Sequence, residues 1–189
     1  MGASDDLRAS EILDAGVVPP PPAGRLEPGV RYPLALDLHG DLGAISFAVL
    51  DLHPRIARGM WCEALMYARG RDGRWVEIAE HDNTTSPRPF ERPRQPENSE
   101  ETWIDWHSSD GLQEGGSHEY LTGFFGIAPL TTARLTVTAA GEQERDLRIT
   151  PRSGAYVAVV AAAAWTLTGY GADGERLGEH TLDHRGATR

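Results

Sequence analysis

The sequence predicts an all-β protein: an antiparallel β-sandwich, immunoglobulin-like or jelly-roll-like, preceded by one short helix at the N-terminus. Two observations predict this fold. From residue 31 onward, apolar and polar residues alternate with a period of two, which is typical of half-buried strands. Turn residues, glycine above all, divide the chain into about ten or eleven such segments. Because a closed barrel has the same pattern, it remains the alternative architecture.

The individual strands are predicted from local pattern. Leucine occupies every second position in 34–38, and larger apolar residues repeat this alternation in 45–49. The segments 60–69 and 74–80 flank a turn that contains Asp-Gly, the pair that supplies a positive φ in tight hairpins. Further strands are expected at 133–138, 147–149, 155–160, 165–170 and 175–181.

A short helix is predicted over residues 4–14. Ser4 can act as its N-cap, the two aspartates that follow suit the positive end of the helix dipole, and Gly16 can end it. Its apolar stripe is thin, and an isolated helix of this length is marginal in water, so it must either dock or fray. A semi-rigid polyproline segment follows. We therefore divide the chain into an N-terminal helix and proline-rich arm, 1–29, and a single β-sandwich domain, 30–189.

The stretch 81–101 interrupts the strand pattern. It contains four prolines, charges of both signs and almost no apolar residue. Because proline cannot donate a hydrogen bond to a strand ladder, and because there is little here to bury, we predict a long proline-rich loop. Long loops in compact domains are either functional or disordered.

Part of the C-terminal half carries a resemblance. The segments 126–129 (Gly-Ile-Ala-Pro), 133–137 (Ala-Arg-Leu-Thr-Val) and 166–174 follow a recurring pattern of strands and tight turns. On these segments, residues 121–180 resemble the β-hairpin array of uncharacterised immunoglobulin-like β-sandwich proteins from high-GC bacteria. The resemblance implies a sandwich fold, and it implies no activity.

Composition limits the functional classes. The chain has 189 residues and a formal net charge of −10, enough length for one domain that folds without a metal or disulfide. An acidic chain with no basic, aromatic stripe repels phosphate backbones, so we do not expect nucleic-acid binding. The single cysteine, Cys62, lies among apolar residues and is expected to be buried, in a reducing compartment. Without a signal-peptide pattern or a run long enough to span a bilayer, the sequence indicates a cytoplasmic protein with no membrane attachment.

The common catalytic motifs do not occur. The sequence contains no serine-hydrolase elbow, no glycine-rich phosphate loop and no His-Glu-x-x-His helix, so we expect no cofactor and no metal centre. The motif Leu-Asp-Leu-His occurs twice, at 36–39 and 50–53, and its carboxylate and imidazole could ligate a metal. The two copies lie far apart in the predicted hairpin and face differently, which favours coincidence.

The strongest candidate site lies between residues 103 and 122. Alternation places Trp103, Asp105 and His107 on one strand face, and a symmetric hairpin adds His118 and Tyr120 opposite them. Aromatic rings for stacking, two imidazoles for acid–base chemistry and a carboxylate to orient one of them form a ligand-binding face. The alternative is a solvated strand rim. A one-residue slip would move Asp105 and His107 to the face opposite His118.

These features predict a non-catalytic β-sandwich that acts by binding a protein partner, or a second copy of itself in a homodimer, since open sheet edges must be covered. A small-molecule binder or small enzyme that uses the Asp/His face is the first alternative, and a self-assembling structural protein is the second. A concave pocket with a shifted histidine pKa would favour the first. An oligomer whose size depends on concentration would favour the second.

Overall fold

The structure is a computed structural model. It describes residues 3–20, 26–50, 60–86, 109–111 and 121–183. These residues form one helix and eleven strands. The elements are α1 (Ala3–Ala15), β1 (Arg31–His39), β2 (Leu42–Leu50), β3 (Met60–Arg69), β4 (Trp75–Ser86), β5 (Ser109–Gly111), β6 (Leu121–Ile127), β7 (Arg134–Ala139), β8 (Arg145–Leu147), β9 (Ala155–Val160), β10 (Ala164–Tyr170) and β11 (Arg176–Asp183). The predicted helix is confirmed, and Gly16 follows it with a φ of 64°, a left-handed conformation that favours glycine. Within these ranges no helix has the length and apolar character to cross a membrane.

The strands form three antiparallel sheets. Sheet A has the order β1-β2-β3-β4, sheet B the order β5-β6-β9, and sheet C the order β11-β10-β7-β8. The prediction of an all-β, sandwich-like fold is therefore confirmed. Among the described strands, the two end strands of each sheet do not pair with each other, so no sheet closes on itself. The alternative of a closed barrel is therefore wrong.

Sheet B is the middle layer of the stack. Every residue of β9 is buried, because alternate side chains enter two different cores. Val157 and Val159 pack with sheet A, whereas Tyr156 packs with sheet C. Gly123 in β6 permits the close approach of sheets A and B, since a Cβ there would lie 2.2 Å from Sδ of Met66 in β3. The sandwich thus has three layers of sheet, with α1 on the outer face of sheet A.

The predicted hairpin turns are confirmed. β3 and β4 pair on either side of residues 70–73, where Gly73 has a φ of 80° and donates its N–H to the Gly70 carbonyl. Gly174, between β10 and β11, has a φ of 82°. Cys62 is buried in the core between sheets A and B, as expected.

The predicted proline-rich loop starts too early. Residues 81–86 continue β4 and pair with the first half of β3, so the boundary at residue 81 is wrong. The polar composition of this segment hides the strand, but it contains β-branched Thr84 and Thr85 and no proline before Pro87. The rest of the predicted loop, 87–101, lies outside the described residues.

Candidate functional site

Helix α1 docks on the outer face of sheet A. The period-two alternation of β1, β2 and β3 places one set of apolar side chains on this face, away from sheet B. This set, which we call the docking face, consists of Leu36, Ile45, Phe47, Leu65 and Tyr67. Three helix residues at i, i+3 and i+4 spacing, Ala9, Ile12 and Leu13, are buried against it. Of the two outcomes expected for the helix, docking is therefore the one observed.

A glycine in β2 allows the close approach of the helix. A Cβ at Gly43 would lie 2.5 Å from Cδ2 of Leu13, much closer than two carbon atoms can approach. Any larger residue at this position would displace the helix or force Leu13 to move. Glycine within a strand often marks such a contact, and this is the signal by which the sequence indicates where the helix docks.

Polar contacts hold the C-terminal end of α1. The Asp14 carboxylate accepts hydrogen bonds from Nη2 of Arg69 at 3.1 Å and from Nε1 of Trp75 at 3.0 Å. The guanidinium of Arg69 also lies over the Trp75 ring, 5.2 Å from its centroid. Arg148 donates to the Gly16 carbonyl at 3.0 Å, next to the helix end, where carbonyl groups lack helical partners.

An apolar patch lies beside this end of the helix. Val17 is 60% exposed and Leu38 is 43% exposed. A Cβ on Gly16 would lie 3.7 Å from Cδ1 of Leu38, and a Cβ on Gly43 would lie 3.3 Å from Leu38 and 3.4 Å from the Trp75 ring. Leu38 therefore lies close to Trp75 and to Gly16, the residue before Val17. We call Val17, Leu38 and Trp75 the Leu38 patch.

The Leu38 patch combines exposed apolar side chains with a polar rim. Apolar patches rimmed by polar groups are typical of interaction sites, and tryptophan and arginine are enriched among the residues that contribute most to binding. The polar rim is the ion pair of Asp14 and Arg69, whose side chains are both about half exposed.

The site residues predicted from the sequence, Trp103, Asp105, His107, His118 and Tyr120, lie outside the described residues. The structure does describe the neighbouring strand pair. Gly123 of β6 pairs with Ser109 of β5, and not with a residue of 102–107. At Gly123 this pairing differs from the symmetric hairpin register, and the face formed by the five predicted site residues stays a prediction. The glycines after Ser109 favour a loop, and the sequence analysis therefore missed β5, which is a strand of only three residues.

A second polar cluster lies on the outer face of sheet A, at the end of β1 opposite the Leu38 patch. Arg31 of β1 forms ion pairs with Glu63 of β3 and with Glu80 of β4, whose Oε1 is 2.8 Å from Nη2 of Arg31. Glu63 is buried, so its charge requires this cation. One guanidinium bridges carboxylates on two other strands of the sheet, and we interpret the cluster as structural.

An ion pair that the sequence did not predict joins all three sheets. Arg145 of β8 donates two hydrogen bonds, each of 2.8 Å, to the carboxylate of Asp37 in β1. The backbone of Val159 in β9 donates to the same carboxylate at 3.0 Å and accepts from Arg145 at 2.9 Å. Because these contacts engage both charged groups, the pair is structural. Asp37 belongs to the first Leu-Asp-Leu-His motif, and the signal for its role is a lone carboxylate within the apolar run 34–38 of β1.

One described histidine is perturbed by its surroundings. Burial lowers the pKa of His180 from its usual value of 6.5. Its ring lies 5.7 Å from that of Trp165, which in turn stacks on Phe124 at 4.3 Å. The half-buried imidazole thus lies beside two aromatic rings that belong to the core of sheet C. Within the described ranges, no three histidine, cysteine, aspartate or glutamate side chains are grouped as metal ligands.

Comparison with known proteins supplies no relative. No protein-family model matches the chain, and no curated protein or solved structure matches it. The resemblance of residues 121–180 to immunoglobulin-like sandwich proteins therefore stays a prediction.

Proposed function

We propose that this chain is a non-catalytic β-sandwich protein that acts by binding a protein partner, and that the Leu38 patch is its contact surface. The observation that carries the proposal is the exposure of Val17 and Leu38 next to Trp75. A partner that removes this apolar surface from water gains binding free energy through the hydrophobic effect. The adjoining arginine and tryptophan add the charged and aromatic contacts that protein interfaces favour.

The expected contribution of the patch is large enough to matter. Complete burial of an exposed valine or leucine side chain contributes roughly 1.5–3 kcal/mol. Because Val17 and Leu38 are each about half exposed, a partner that covers both would gain about 2 kcal/mol. This corresponds to roughly a thirtyfold change in Kd. The net charge of −10 further favours a partner whose contact surface is basic around an apolar centre.

The test uses the full-length chain, because removing the N-terminal arm would uncover the docking face and create an artificial apolar surface. Affinity capture from host lysate should retain a partner with the wild-type protein and lose it with Leu38→Asp or Val17→Asp. Both positions are exposed, so the fold should tolerate the change. Leu130→Asp is the matched control, since Leu130 is 56% exposed and lies between β6 and β7, away from the patch in sequence.

Two outcomes would contradict the proposal. If the wild-type chain retains no partner, the interaction role has no support. If Leu130→Asp loses the partner as completely as Leu38→Asp does, binding depends on general surface charge and not on the patch. A partner that resists Leu130→Asp and is released by Leu38→Asp would place the contact at the patch.

A further inference from the structure

We draw no further inference here: the strongest candidate, the outer face of sheet C, where Thr136 and Thr168 are buried although they lie on the side away from sheet B, carries none because nothing among the described residues shows what covers it.

Discussion

Asp37 and Arg145 are 108 residues apart in the chain and are joined by two parallel hydrogen bonds of 2.8 Å. Val159 completes the contact, so that one strand from each sheet takes part. β9 is an end strand of sheet B, and the pair occupies an N–H and a carbonyl that this edge would otherwise leave open. One ion pair thus links three layers and covers part of a sheet edge.

Removing the cation should be strongly destabilising. We expect Arg145→Ala to lower the free energy of unfolding by about 3–5 kcal/mol, because the Asp37 carboxylate stays buried without its partner. Urea denaturation measures the change. The double variant D37L/R145M, which removes both charges, should recover much of the loss, and Arg152→Ala at an exposed position should change little. Equal losses in the single and double variants would contradict the assignment.

The contact between Gly43 and Leu13 predicts coupling between two substitutions. Gly43→Ala should destabilise the fold by about 1–3 kcal/mol through overpacking, and Leu13→Ala by about 2–5 kcal/mol through a cavity. Because the shorter side chain at position 13 leaves room for the new Cβ, the double variant should lose less than the sum of the two. A double-mutant cycle by chemical denaturation tests this, and strictly additive losses would disprove the contact.

Two buried serines should respond oppositely to the same substitution. The hydroxyl of Ser46 is buried and makes no hydrogen bond in the described part of the chain, whereas the Ser153 hydroxyl accepts one from the Ala155 N–H at 3.1 Å. Ser46→Ala should therefore leave stability unchanged or raise it by up to about 1 kcal/mol. Ser153→Ala should lower it by about 1 kcal/mol. A loss for Ser46→Ala as large as that for Ser153→Ala would mean that Ser46 has a partner.

Stability should fall when the medium is acidified through the titration range of His180. Its pKa in the folded state is lowered below 6.5, so the unfolded chain binds this proton more tightly. The contribution of His180 is present above pH 6.5 and is lost as the pH falls through the folded-state pKa. Denaturation of the wild type and of His180→Gln at about pH 7.5 and 5.0 compares the two. The variant should lose less stability on acidification, and identical losses would be evidence against this role.

Most strands could be predicted from the sequence because the alternation that defines them is local. In β1, for example, Leu36 and Asp37 face opposite sides of sheet A, as their neighbours in sequence indicate. The third layer could not be predicted in this way. β9 is apolar at every position because both of its faces are buried, and such a run does not reveal which sheet each face contacts.

The candidate site depends on tertiary contacts that the sequence does not carry. Leu36 and Leu38 occupy equivalent positions in the alternation, yet Leu36 is buried under α1 and Leu38 lies beside the end of the helix, partly exposed. Only the docked position of α1 distinguishes them. The same holds for Asp37, whose role becomes visible only when Arg145 is brought to it from another sheet.

The burial of β9 in the folded protein has a consequence for the chain before it has folded. Residues 155–160 carry no charge, proline or glycine and are rich in β-formers, a composition that favours stacking into cross-β fibrils. In the native protein, neighbouring sheets cover both faces of this segment, and Asp37 and Arg145 occupy part of its open edge. We therefore expect aggregation to start at β9 in chains that have not yet docked this segment, and the contacts of Asp37 and Arg145 with Val159 to protect part of its edge once the chain has folded.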